Sequence, residues 1–378
     1  MKNSGLYIHI PFCKSKCIYC DFFSGGAKTA DWKGLVVGLL NELRERRDEL
    51  KSFPDTLYIG GGTPSLMPAE CFINLIEGVG EIAGNRWREF TIEVNPDDVT
   101  ERMCEVWKEC GVSRVSMGVQ SFINSELKSI CRRHDAECAE NAYRILRRYF
   151  DNISLDLMFG LPGQSLKSWK ESVERVIALD PEHVSAYSLM FEDGTPLTVL
   201  REQGRITLPE DDECVDMWRL LSERLKYAGY DQYEISNYSK PGRESVHNSS
   251  YWIGAPYLGI GPSAHSYDGE RIRRSNPADL KGYLRRFAGG EGDDLFYEEE
   301  LLSDEELSEE MILTRMRTRE GLNIMEYGRR FGPDSLFRLK RNAKEFLERG
   351  MLIYDNDHLV ISDSGIMMAD EIIVALSM

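Results

Sequence analysis

The sequence holds no uninterrupted apolar run long enough to span a bilayer, and its opening, MKNSGLYIHIPFC, has no basic segment followed by a long apolar stretch. Neither a transmembrane helix nor a secretory signal is expected, and a cytoplasmic location follows, with at most peripheral contact at the inner face of the membrane. Positive charge is scarce: 46 Lys and Arg against 63 Asp and Glu leave a formal charge of −17. With no local basic patch, such a surface repels phosphate backbones, so a nucleic-acid partner is not expected. No GxGxxG or GK[ST] is present to cradle a dinucleotide or nucleoside triphosphate. There is no fixed-period repeat and no low-complexity tract. An even set of cysteines is missing too. Nine cysteines in a reducing compartment read as thiols, and any cluster of them as a metal site rather than a disulfide framework.

What is present is a chain of 378 residues with 42% hydrophobic and 29% charged residues, an ordinary globular balance with room for one large domain and a small one. Its first half repeats a short apolar strand, a polar or glycine-bearing loop and a helical stretch. Strands are expected at 6–10, 56–59, 90–94, 114–119, 153–159 and 183–189, and helices at 31–50, 68–83, 100–110, 124–131, 136–149 and 165–179. This alternation predicts an α/β fold of parallel βαβ units, closed or partly closed into a barrel. An eight-fold barrel stays open, because 212–229 reads as a helix and YDQYEIS follows it. Residues 288–300 read as a flexible acidic linker. Beyond it, Ser303 and Glu306 form a capping-box signature, helices follow near 323–331 and 334–349, and GMLIYDNDHLVIS reads as a hairpin. The expected division is a barrel over 1–287 and a helical, winged-helix-like cap over 295–378. Its acidic leading segment favours packing over DNA binding.

Cys13, Cys17 and Cys20 stand in a CxxxCxxC array on a loop that Pro11 detaches from the first strand. Three thiolates on a short loop can hold three irons of a cubane cluster and leave the fourth iron open to a cofactor. The alternative is a zinc site with His9 or a distant histidine as fourth ligand, although no second CxxC completes a zinc ribbon. Cysteines 71, 104, 110, 131, 138 and 214 are expected to be small buried side chains. Gly60 to Pro64 (GGGTP) follow a strand, so backbone without Cβ atoms can approach a ligand at the barrel mouth. GIGPSA at 259–264 reads as a turn. Alternation puts Thr91, Glu93 and Asn95 on one face of a strand, and Ser116, Gly118 and Gln120 on one face of the next, with Asp156 between Leu155 and Leu157. All lie toward the carboxyl ends of their strands, the functional rim of such barrels.

LYIHIPFC, CxxxCxxC, GGGTP, EVNP, SMGVQSF and DLMFGLPGQ occur in this order. Together they resemble the coproporphyrinogen dehydrogenase-like branch of radical S-adenosylmethionine proteins, which holds oxygen-independent dehydrogenases and heme chaperones. The resemblance covers nearly the whole chain and implies a partial (β/α)6 barrel with a C-terminal helical cap. It implies a [4Fe-4S] cluster on Cys13, Cys17 and Cys20, and S-adenosylmethionine on that cluster. By the same resemblance Tyr7 and Tyr19 flank the cofactor, Gly61, Gly62 and Thr63 meet its methionine end, and Glu93, Gln120 and Asp156 contact its ribose and polar groups. Arg132 pairs with its carboxylate and Met190 touches its adenine. Two departures point away from the dehydrogenases. Phe22 stands where they carry a fourth cysteine, and the N-terminal segment that contributes to their substrate site is missing. In its place HNSSYW matches the HNxxYW pattern of the heme chaperones, implying His247 as axial heme ligand with Tyr251 and Trp252 against the porphyrin. His265 is a secondary candidate, whereas His134, His183 and His358 read as structural. The expected function is carriage of heme to apo-hemoproteins such as respiratory enzymes at the membrane. The rival is radical oxidative decarboxylation of coproporphyrinogen; tRNA or peptide modification is disfavoured by the charge and by the lack of an RNA module. Cofactor cleavage and the choice between monomer and homodimer are left open.

Overall fold

In the computed structural model, residues 4–50, 52–290 and 296–378 are described. Six strands, β1 (Gly5–Ile10), β2 (Thr56–Gly61), β3 (Glu89–Val94), β4 (Arg114–Gln120), β5 (Ile153–Phe159) and β6 (His183–Ser188), lie side by side in chain order and parallel. They match the six strands expected. A further parallel strand, β7 (Tyr257–Ile260), pairs with the free edge of β1. YDQYEIS does not continue the parallel series into an eight-fold barrel: Asp231–Glu234 and Asn237–Ser239 form an antiparallel hairpin on the edge of β6. Three more antiparallel strands, His265–Tyr267, Ile272–Ser275 and Glu298–Leu301, extend the sheet beyond β7.

Period-two alternation explains the layering. Leu6, Ile8 and Ile10, Leu57 and Ile59, Phe90 and Ile92, Val115 and Met117, Leu155 and Leu157, and Val184 point one way into the core. Helices such as Trp32–Glu45, Ala69–Ala83 and Leu166–Leu179 cover that face. Each aliphatic side chain so buried contributes about 1.5–3 kcal/mol. The other parity, including Tyr58, Glu93, Ser116, Asp156 and Ser185, lines the barrel interior and runs toward the strand ends. A buried ion pair ties the first helix to the closing strand. Arg46 donates to Glu42 (2.9 Å), to the Gly259 carbonyl (3.2 Å) and to Ser266 (3.0 Å), while Glu42 accepts from the Gly261 amide (2.8 Å). GIGPSA is therefore a strand and turn whose amides serve the fold.

The C-terminal unit has its own core around Met311, Ile312, Tyr327, Leu339, Leu359 and Ile372. Its leading helix, Asp304–Met316, begins with the expected capping box between Ser303 and Glu306. The two expected helices are both present within Ile324–Glu348, separated where Gly332 leaves the helical conformation (φ 87°, ψ 171°) ahead of Pro333. The hairpin Leu352–Asp355 and His358–Ile361 packs beside Leu322–Asn323 in a three-stranded sheet. Of the expected acidic linker, residues 291–295 lie outside the described residues. Among the described residues no helix is long and apolar enough to cross a membrane.

Candidate functional site

The carboxyl ends of β2 to β6 and the loop after β1 enclose a cavity of about 530 Å³. Cys13, Cys17 and Cys20 all border it as free, half-buried thiols. Their loop is pinned at its start, where Phe12–Cys13 pairs with Gly25–Gly26, and turned where the Cys20 amide donates to the Cys17 carbonyl (3.2 Å). Thr63 donates its hydroxyl to Cys13 Sγ (3.4 Å), and Arg132 reaches Cys17 Sγ at 3.6 Å. Among the described residues no three His, Cys, Asp or Glu side chains converge as a single metal ion requires. A cubane takes each thiolate on a different iron, so its three sulfurs stand farther apart than those around a single tetrahedral zinc. His9 is unavailable as a fourth zinc ligand. Its Nδ1 meets the Tyr7 hydroxyl and its Nε2 the Phe23 carbonyl, both at 3.0 Å, and it faces away from the thiols.

The glycine loop is shaped by what it must pass. Gly61 takes φ 107°, and a Cβ there would lie 2.6 Å from the His9 ring; one on Gly62 would lie 2.7 Å from the Phe12 carbonyl oxygen. Backbone thus closes against the cysteine loop where side chains would not fit. A Gly61→Ala variant is expected to lose about 1–3 kcal/mol of stability, read as a lowered urea midpoint, from left-handed strain and displacement of His9.

Around the rim, Glu93 accepts from the Tyr58 hydroxyl (2.8 Å) and the Gly61 amide (3.1 Å). Burial pushes its carboxyl up to about 7, with Asp156 adding and Tyr58, the Gly61 amide and Arg114 opposing. Asp156 accepts from Ser116 (3.1 Å) and Ser154 (3.2 Å) and is raised by burial to about 6, opposed by Arg114 and the serines. The folded ligand-free protein therefore binds protons here that the unfolded chain has released. For Glu93 this stabilisation is complete below pH 4.5 and fades as pH rises through about 7. Glu93→Gln is expected to remove roughly 1–3 kcal/mol of the decline in unfolding free energy between pH 5 and 8.

Gln120 stands at a register shift between β4 and β5, takes φ 68°, and leaves Oε1 buried without a partner. Strain and an unpaired buried acceptor together mark a residue held for a ligand. Arg132 is turned inward by bonds to Asn95 Oδ1 and the Gly118 carbonyl, and its Nε is unpartnered. Burial opposes its charge, but Tyr19 and Cys17 hold its pKa above the ordinary arginine value. Arg133 beside it also borders the cavity but is held by Asp97 (2.8 Å) and Asp98 (3.1 Å). Tyr19 and Met190 also line this cavity, Met190 at the exposed rim. The free thiols, the Cβ-free cradle and the orphaned Gln120 and Arg132 atoms suit a cluster bearing a polar zwitterionic cofactor. Asn248, the second residue of HNxxYW, and Tyr187, on the same parity of β6 as Ser185, also reach this cavity without having been expected there.

Tyr7 does not join them. It lines a second cavity of about 520 Å³ that shares only Asp21 and Phe22 with the first. His247 joins neither cavity, contrary to the ligand role expected of it. HNSSYW lies within the helix Val246–Trp252, capped by Ser245, with Glu89 accepting the amides of Val246 and His247 at 2.9 Å each. His247 is 1% exposed. Thr56 meets its Nδ1 and Tyr251 its Nε2, each at 2.7 Å, so neither nitrogen is free for a metal. Trp252 packs by Arg317 instead of facing a cavity, while Tyr251 does border the second one. His134 and His183 are buried and hydrogen-bonded, as expected of structural histidines. Among the scattered cysteines only Cys71 and Cys104 are fully buried, and Cys131 is exposed at φ 59°.

Residues 7–176 match the radical SAM superfamily and residues 302–368 the HemN C-terminal domain. The chain is 34% identical to the heme chaperone HemW of Bacillus subtilis, covering 97% of each. It is 31% identical to the mitochondrial radical S-adenosyl methionine domain-containing protein 1 of Bos taurus, covering 99% of this chain and 87% of that one. Coproporphyrinogen III oxidase (HemN) from Escherichia coli shares the fold, with a TM-score of 0.85 at 20% identity over 100% of this chain and 90% of that one.

Proposed function

The chain belongs to the HemW heme chaperone family of radical SAM proteins, and from that premise we propose that it binds heme as cargo and releases it to apo-hemoproteins, respiratory enzymes at the membrane among them. The observation that carries the reading is the gathering of three free thiols with Thr63, Glu93, Gln120, Arg132 and Asp156 around one cavity, in a chain so closely related to named heme chaperones. A [4Fe-4S] cluster with an open iron, once bound, supplies one-electron chemistry toward S-adenosylmethionine. Cys13, Cys17 and Cys20 hold the cluster. Gly61 and Gly62 admit the methionine end by carrying no side chain, and Arg132 offers a fixed guanidinium fork to its carboxylate. Glu93, Gln120 and Asp156 take hydroxyl and amino protons, and Met190 covers the outer, adenine end. Phe22, 60% exposed, presents an apolar ring between the two cavities where a cluster ligand or a polar substrate contact would need a heteroatom.

Anaerobic reconstitution followed by parallel hemin titration and coproporphyrinogen assay tests this reading. Saturable hemin binding without protoporphyrinogen formation is expected. Coproporphyrinogen turnover, or failure to bind hemin, overturns it.

A further inference from the structure

The second cavity lies between the closing edge of the sheet and the C-terminal unit, and its walls differ in kind from those of the first. Tyr7, Phe22, Phe23, Tyr251, Tyr257 and Tyr267 supply aromatic surface from one side. Leu307 and Met311 supply aliphatic surface from helix Asp304–Met316 on the other. At about 520 Å³ it falls within the roughly 300–1,000 Å³ of small-molecule sites.

His265 is the imidazole that this cavity leaves free. It lies on an exposed strand position, and among the described residues its ring makes no hydrogen bond, unlike the rings of His9 and His247. Three arginines border the same space in a chain of net charge −17. Arg273 is committed to Glu310 (2.7 Å), whereas Arg315 and Arg330 form no ion pair or side-chain hydrogen bond among the described residues. Asp21 and Glu326 also border it, so the unpaired guanidinium groups are what can receive an anionic edge.

We propose that this cavity seats the porphyrin, with His265 as axial ligand to its iron, aromatic side chains against its faces, and Arg315 and Arg330 on its carboxylates. The inference rests on the heme reading above and assigns it a place. His247 then acts by packing beneath this wall, through Tyr251, rather than by touching iron.

Hemin titration of the cluster-loaded protein, followed by Soret absorbance, tests the assignment. His265→Ala is expected to shift the Soret maximum and weaken hemin binding at least about tenfold, with added imidazole restoring the band. Arg315→Ala combined with Arg330→Ala is expected to weaken hemin about tenfold or more while leaving hemin dimethyl ester unaffected. Unchanged melting temperatures establish that these variants fold. Wild-type affinity and spectrum in His265→Ala overturn the site while leaving the heme reading intact. A wild-type protein that takes up no hemin overturns both.

Discussion

Replacing any one of Cys13, Cys17 and Cys20 by alanine is expected to abolish iron retention on anaerobic reconstitution, from about four irons per chain to fewer than about one. Each thiol is half-buried at the cavity wall and outside the hydrophobic core, with hydrogen bonds from Thr63 to Cys13 and from Arg132 and Tyr19 to Cys17. The ligand-free variants should therefore melt within a few degrees of the parent. Cys104→Ala supplies the opposite pattern. That thiol is fully buried in the core, so its loss should cost about 1–2 kcal/mol while iron content stays complete. Inductively coupled plasma analysis for iron and zinc, with sulfide assay, separates the cases. A cysteine variant that keeps its full complement of iron, or a parent holding one zinc and no sulfide, would refute the cluster assignment.

His247→Ala is expected to destabilise the protein by about 2–4 kcal/mol in urea unfolding. The substitution removes an imidazole that is 1% exposed and sits against Tyr58 with ring centroids 5.0 Å apart. It also leaves the Thr56 and Tyr251 hydroxyls facing a void, and each buried hydroxyl without a partner costs about 1–3 kcal/mol. Part of this returns with His247→Gln, whose amide can reach one of the two hydroxyls. Burial, reinforced by Arg114, lowers the histidine to about 3. The folded state thus keeps it neutral while the unfolded chain protonates, and stability is lost as pH falls from 6.5 toward 3. The variant should lack that slope. If it were as stable as the parent and yet lost hemin binding, the buried position of the ring would not represent the loaded protein.

The six barrel strands were legible because each combines β-branched and aliphatic residues with a polar residue of opposite parity near its end. That same parity brought Glu93, Gln120 and Asp156 to one cavity with the thiols. What escaped is long-range pairing. Tyr257–Ile260 reads locally as a strand, but nothing in YLGI says that its partner is Gly5–Ile10 or that the two run parallel. Likewise YDQYEIS has strand character, while its antiparallel docking depends on the edge that β6 leaves open. His247 was misplaced because a motif locates a residue in the chain, not in depth. A closer sign was at hand: Ser245 as cap, with His247, Ser250 and Tyr251 at helical spacing, describes one face of a turn. Tyr7 and Tyr19 differ for a similar reason: Tyr7, in register beside Tyr58 on the sheet, borders the second cavity, and Tyr19, on the cysteine loop, the first. Of the second cavity the sequence marked only Tyr7, Tyr251 and His265 one by one; that residues 21–23, 251–273 and 307–330 meet there is a property of the folded protein.

The central place of β1 has a consequence in time. Its neighbours on the two sides are Thr56–Gly61 and Tyr257–Ile260, so one edge is satisfied early in synthesis and the other only after about 250 further residues have been added. At ~5–20 residues per second, roughly 12–50 s pass in which the strand leading into the cysteine loop has an unpaired edge. Exposed strand edges template wrong pairings. The nascent chain is thus most vulnerable at the strand that precedes its three proposed cluster thiols, and slow translation or heat should be felt there first, as aggregation of incomplete chains rather than as unfolding of finished ones.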